Sequence, residues 1–196
     1  MENVIKFPLK VAPGEFKRAR RRRKHNPNQL SFLFALSVRP DGSFDEGREA
    51  QDRGEREEAA RLYRRVIEGG GDGVADAYCN LGILEFEAGR PAKAVDCFAR
   101  SLGSDPRHLC SHNNLGNLYF EREDYRLAEL HYEISVELHP ADPDVYYYLG
   151  ISYAKNGKYA RAIETLREFQ GLSPGEARKA DTLLCSLRHA RRGTKK

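Results

Sequence analysis

The sequence predicts an all-α fold, a solenoid of helix-turn-helix units, and two observations carry that prediction. Leu81-Gly82, Leu115-Gly116 and Leu149-Gly150 stand 34 residues apart, as do Ala94, Ala128 and Ala162, and again Pro106, Pro140 and Pro174. Within each copy the apolar residues fall at helical spacing in two blocks separated by a short turn. One helix pair leaves its apolar faces uncovered, whereas stacked neighbours share a core, so such an array is stable only as a run of several.

The recurring residues have physical reasons. Gly inside a helix costs about 1 kcal/mol against Ala, so three glycines in one phase imply close approach of a neighbouring helix. Ala94, Ala128 and Ala162 are the expected small partners. Each Pro follows a second helix and stops it. With an aromatic near the fourth position (Tyr78, His112, Tyr146) and a large residue after the alanine (Phe98, Tyr132, Leu166), the pattern resembles the tetratricopeptide repeat. The resemblance covers about half the chain. It implies a right-handed solenoid that binds partners and rarely does chemistry.

Charge is unevenly distributed. Residues 1–39 carry 10 Lys and Arg against 2 Glu, residues 40–175 carry 16 against 25 acids, and residues 176–196 carry 7 against 2. A basic arm and a basic tail therefore flank an acidic array. No apolar run approaches the ~20 residues of a membrane helix, and Met1–Lys10 lacks the features of a secretory signal. Four Cys without regular spacing suit a reducing compartment, so the expected location is cytoplasmic.

Residues 1–25, rich in Pro and charge, read as a disordered arm. Lys17, Arg18, Arg20, Arg21, Arg22, Arg23 and Lys24 form a run able to neutralise phosphates without reading bases, which admits a nonspecific nucleic-acid or other polyanion partner. The same run also suits a solubilising tail, or one that folds back on the acidic repeats. Residues 26–39 form an apolar segment opened by Asn26-Pro27, with Leu30, Leu33, Phe34 and Val38 on one helical face. It reads either as a helix docked on the first repeat or as a short linear motif. In the second case Gln29, Leu33 and Phe34 carry a resemblance to the bacterial sliding-clamp-binding peptide.

Residues 40–74 form a degenerate first repeat. Ser43-Phe44-Asp45-Glu46 has the pattern of a capping box, and Gly47, Gly54, Ala59 and Tyr63 align with the later glycines, alanines and aromatics. Gly69–Gly73 reads as a flexible joint. Regular repeats follow at 75–108, 109–142 and 143–174. Ser173-Pro174-Gly175-Glu176 then opens a capping helix at 175–190, with Ala177, Ala180, Leu183, Leu184 and Leu187 as its apolar stripe, and 191–196 is a basic tail.

In proteins of this family partners lie in a concave groove lined by the first helix of each repeat. The resemblance places Asp76, Cys79, Ile83, Phe86 and Glu87 there from one repeat. The next contributes Cys110, Asn113, Asn117, Phe120 and Glu121, and the last Asp144, Tyr147, Ile151, Ala154 and Lys155. This apolar face with an acidic fringe suits a peptide or amphipathic helix, and the aromatic anchors Phe86, Phe120 and Tyr147 are expected to serve binding and not folding. Lys155 is its single cation, which argues against a carboxylate clamp on Asn113 and Asn117. His108, Cys110, His112 and Cys79 read as packing residues, so no metal, cofactor or catalytic residue is expected. The chain reads as a non-catalytic scaffold or adaptor.

Overall fold

The computed structural model describes residues 42–193. The readings on the arm at 1–25 and on the segment at 26–39 fall outside these residues. Among those described, the chain is helical throughout: α1 (Ser43–Arg53), α2 (Arg56–Gly69), α3 (Val74–Glu87), α4 (Pro91–Ser104), α5 (Leu109–Glu121), α6 (Tyr125–Leu138), α7 (Pro143–Lys155), α8 (Tyr159–Leu172) and α9 (Arg178–Gly193), with a 3-10 turn at Pro174–Glu176. Helices pack in pairs, α1 on α2 through α7 on α8. Each second helix then packs on the first helix of the next pair, and α9 closes on α8.

The contact that repeats along the array differs from the one expected. A Cβ placed on Gly82 would lie 2.7 Å from Phe98, on Gly116 2.6 Å from Tyr132, on Gly150 2.7 Å from Leu166, and on Gly47 2.9 Å from Tyr63. Each glycine thus receives the large residue of the second helix most closely; the alanine comes near only at Gly150, where Ala162 O is 3.6 Å from the added Cβ. A ring or branched side chain lies flat on the first helix's backbone, which no side chain on that backbone would permit. Ala94, Ala128 and Ala162 are fully buried all the same. The first repeat obeys the rule too: Phe44 and Tyr63 pack with ring centroids 5.7 Å apart, and the Tyr63 hydroxyl donates to Gln51 Oε1 at 2.9 Å.

Left-handed residues make the turn inside each pair. Gly54, Gly89 and Gly157 have φ of 84°, 73° and 76°, and the matching place in the third pair is held by Glu123 at 60°. Gly70, Gly71 and Gly73, also at positive φ, carry the chain from α2 to α3.

Helix starts depart from the sequence reading at both ends of the array. Gly42, at φ 73°, is the N-cap of α1, so Ser43 and Glu46 lie in the first turn and no side chain caps it. At the other end Pro174–Glu176 forms a 3-10 turn, its Glu176 N–H bonded to Ser173 O at 3.0 Å, and α9 begins only at Arg178. Gln170 donates to Ala177 O at 3.0 Å and holds that break. The stripe itself is in place, with Ala180, Leu183, Leu184 and Leu187 buried.

Candidate functional site

The fifteen residues assigned to the groove fall on the first helices α3, α5 and α7. Glu121 and Lys155 are exposed, Asp76, Phe86, Glu87, Cys110, Asp144 and Tyr147 are half-buried, and the other seven are buried. In α5 burial runs unbroken from Ser111 to Leu118, more than two turns, so every side of that stretch is covered.

All three aromatic anchors hold the fold as well, Phe86 by packing against the buried core. Phe120 meets Tyr125 and Tyr148 edge-on, with centroids 5.5 and 5.3 Å away, and Tyr147 lies 5.1 Å from Phe169. The expectation that removing them costs binding and not folding is therefore corrected: in the free chain they already pack.

Two carboxylates of the acidic fringe already have partners. His108 Nε2 lies 3.0 Å from Asp76 Oδ1, and Arg56 of α2, which the sequence reading left unassigned, lies 3.1 Å from Glu87. Burial, then Asp142 and Glu176, holds the Asp144 carboxyl above its ordinary value. Lys155 Nζ sits 5.4 Å from the centroid of the Tyr125 ring.

The two asparagines assigned to the groove, alike in sequence, differ in structure. Asn117 Oδ1 accepts the Tyr132 hydroxyl at 2.7 Å. Asn113 is 3 % exposed, and neither atom of its amide has a hydrogen-bond partner among the described residues. An amide left so costs about 1–3 kcal/mol, which makes it the least satisfied polar group of the face.

Ser111, His108 and Asp76 come into hydrogen-bonding reach, with Ser111 Oγ 2.9 Å from His108 Nδ1. The arrangement is a helix cap. Ser111 is fully buried and donates to Ser101 Oγ at 2.7 Å, which donates to Ala75 O at 2.7 Å. His108 Nδ1 accepts the Ser111 N–H, the cap bond of α5, so its Nε2–H faces the Asp76 carboxylate.

A histidine pair sits behind it. His112 Nε2 lies 3.1 Å from Pro106 O and must donate there, so its Nδ1 accepts from His131 Nδ1–H at 3.0 Å. Tyr119 stacks on His131, centroids 5.7 Å apart. Burial, and then His112, depresses the His131 imidazole to about 4. Burial pushes the Cys79 thiol up and, followed by Asp76, pushes Cys110 up to about 11. Both thiols are therefore protonated near neutral pH and weak as nucleophiles. Among the described residues no group of three or more His, Cys, Asp and Glu is placed to hold a metal.

The repeated contact of a glycine with a large residue and the paired helices are those of one repeat class, and the model of the tetratricopeptide repeat matches residues 44–108 and 113–177. The chain belongs to the tetratricopeptide repeat family. The first match starts at Phe44, in α1, and so takes in the first helix pair.

Among solved structures, MamA from Desulfovibrio magneticus RS-1 (residues 41 to the end) has a TM-score of 0.66 and 23% identity, over 79% of this chain and 86% of that one. MamA AMB-1 has a TM-score of 0.64 and 22% identity, over 78% and 83%. At these identities the likeness is one of fold. An uncharacterized protein, ycf37, of Pyropia yezoensis is 33% identical over 60 residues, 31% of this chain. The chain spans about a third of that relative's length, 34%. Among the described residues no helix is long and apolar enough to cross a membrane.

Proposed function

We propose that this tetratricopeptide repeat protein is a protein-binding scaffold that holds an extended partner segment on the first-helix face of its repeats. The supporting observation is Asn113. A primary amide with an unused donor and an unused acceptor matches one backbone peptide group, which offers the complementary pair. Around it, half-buried Phe86, Cys110 and Tyr147 supply apolar contact, and exposed Glu121 and Lys155 supply charge at the edge. A partner must part neighbouring side chains to reach the amide, and satisfying it repays part of that cost.

The test is affinity capture from the native cell with the wild-type chain and with Asn113→Leu, read by mass spectrometry. Partners of the face are expected with the wild type and lost from the variant. An identical set of partners from both removes the face as the site. A second reading, on sequence alone, gives residues 17–24 a nucleic-acid partner. It expects low-salt binding that weakens steeply with salt and vanishes when 17–24 are deleted, and no binding at low salt removes it.

A further inference from the structure

The outer side of α6 departs from the charge pattern of its own array. Leu127 is 36 % and Leu130 50 % exposed, and Ile134 is half-buried. Spaced three and four apart, these residues share one helix face. The same positions 34 residues earlier hold Lys93, Asp96 and Arg100, and 34 residues later Arg161, Glu164 and Glu168. The register puts this face toward water in all three repeats. Two meet water with charge, and α6 meets it with two leucines and an isoleucine.

Beside the stripe a cleft of about 420 Å³ opens between α6, α7 and α8, with Val136, Leu149, Tyr146 and Tyr153 as its apolar and aromatic walls. Four glutamates, Glu133, Glu137, Glu164 and Glu168, line it with a single cation, Arg161. That cation is already engaged, with Nη2 2.9 Å from Glu133 and its guanidinium 4.4 Å from the Tyr153 centroid. Among the described residues no ion pair reaches Glu137, Glu164 or Glu168, while Glu133 has its own. Leu130, Glu133 and Glu137 follow one another at helical spacing, so stripe and acidic rim are continuous.

We infer that this face docks a basic amphipathic helix of a partner protein, its apolar anchors on Leu127, Leu130 and Ile134 and its Lys or Arg side chains over the cleft. Charge sets the sign of the occupant: three uncompensated carboxylates attract cations and repel an acidic helix. Tyr146, half-buried on the wall of the cleft, offers its ring to the same cations. The stripe lies on α6 and the cleft is walled from α7 by Tyr146, Leu149 and Tyr153, none of them a groove residue, so the scaffold holds a second partner apart from the first.

The probe is a fluorescent ~18-residue peptide of Leu and Lys at helical spacing, with a Leu–Glu twin, titrated into the full chain by anisotropy. The Leu–Lys peptide is expected to bind and the twin to fail. Leu127→Lys with Leu130→Asp copies the residues α4 carries at those exposed positions, and should weaken binding at least about tenfold with unchanged melting. Glu164→Gln with Glu168→Gln should weaken it and flatten its salt dependence. Asn113→Leu should leave it unchanged. No binding by the wild type, equal binding of the twin, or wild-type affinity in the leucine variant overturns the inference. So does sedimentation showing a wild-type dimer that the leucine variant makes monomeric, which gives the face to a second copy.

Discussion

A single Cβ decides whether a first helix fits its partner. Gly116→Ala should destabilise the chain by about 1–3 kcal/mol, because the new methyl meets Tyr132 at 2.6 Å and that ring is buried and tied to Asn117. Gly171→Ala, in α8 with nothing within 4 Å, should stabilise it by up to about 1 kcal/mol. Paired urea melts check the opposite signs. The sequence announced that the glycines are cramped; it concealed by what, since Ala and the large residue recur with the same period. His131 makes a second prediction. Its folded imidazole sits near 4 against an ordinary 6.5, so the unfolded chain binds the proton first, and stability falls as pH drops from about 6.5 toward 4. His131→Phe retains the stack on Tyr119 and removes the titration, so its melts at pH 7.5 and 5 should differ less than the wild type's. An equal loss in both would place the acid sensitivity elsewhere.

At the scale of the helix, turns and ends carry the predictions. Glu123 holds a left-handed conformation that Gly54, Gly89 and Gly157 hold in the other pairs. Glu123→Gly should therefore stabilise by about 1 kcal/mol, read as a higher urea midpoint. Leu184→Ala in α9 should cost about 2–5 kcal/mol, since the residue is 3 % exposed in the contact that closes the array. The stripe of α9 was legible because helical spacing survives in sequence. Its start was not, because a 3-10 turn and a capped α-helix share the Ser-Pro-x-Glu pattern and a backbone bond decided between them. The same holds for α1, where Gly42 in the left-handed region displaced Ser43 from the cap.

For the whole molecule, the period of 34 residues fixed the fold class, and the array of pairs followed from it. The candidate site was less legible. Repeat register assigns positions to a face but says nothing of how tightly they pack, so Phe120 and Tyr147 looked free and Asn113 looked like Asn117. The exposed leucines of α6 were visible in principle, by setting each repeat against its neighbours and asking where charge gives way. On the proposed function, the Asn113 amide is kept unsatisfied for a partner. The most direct measurement combines a urea melt of Asn113→Leu with a titration of the captured partner's segment into both proteins. The variant should be at least as stable as the wild type, because an orphan amide is removed, with affinity at least about tenfold weaker. A less stable variant that binds the segment as the wild type does would contradict it.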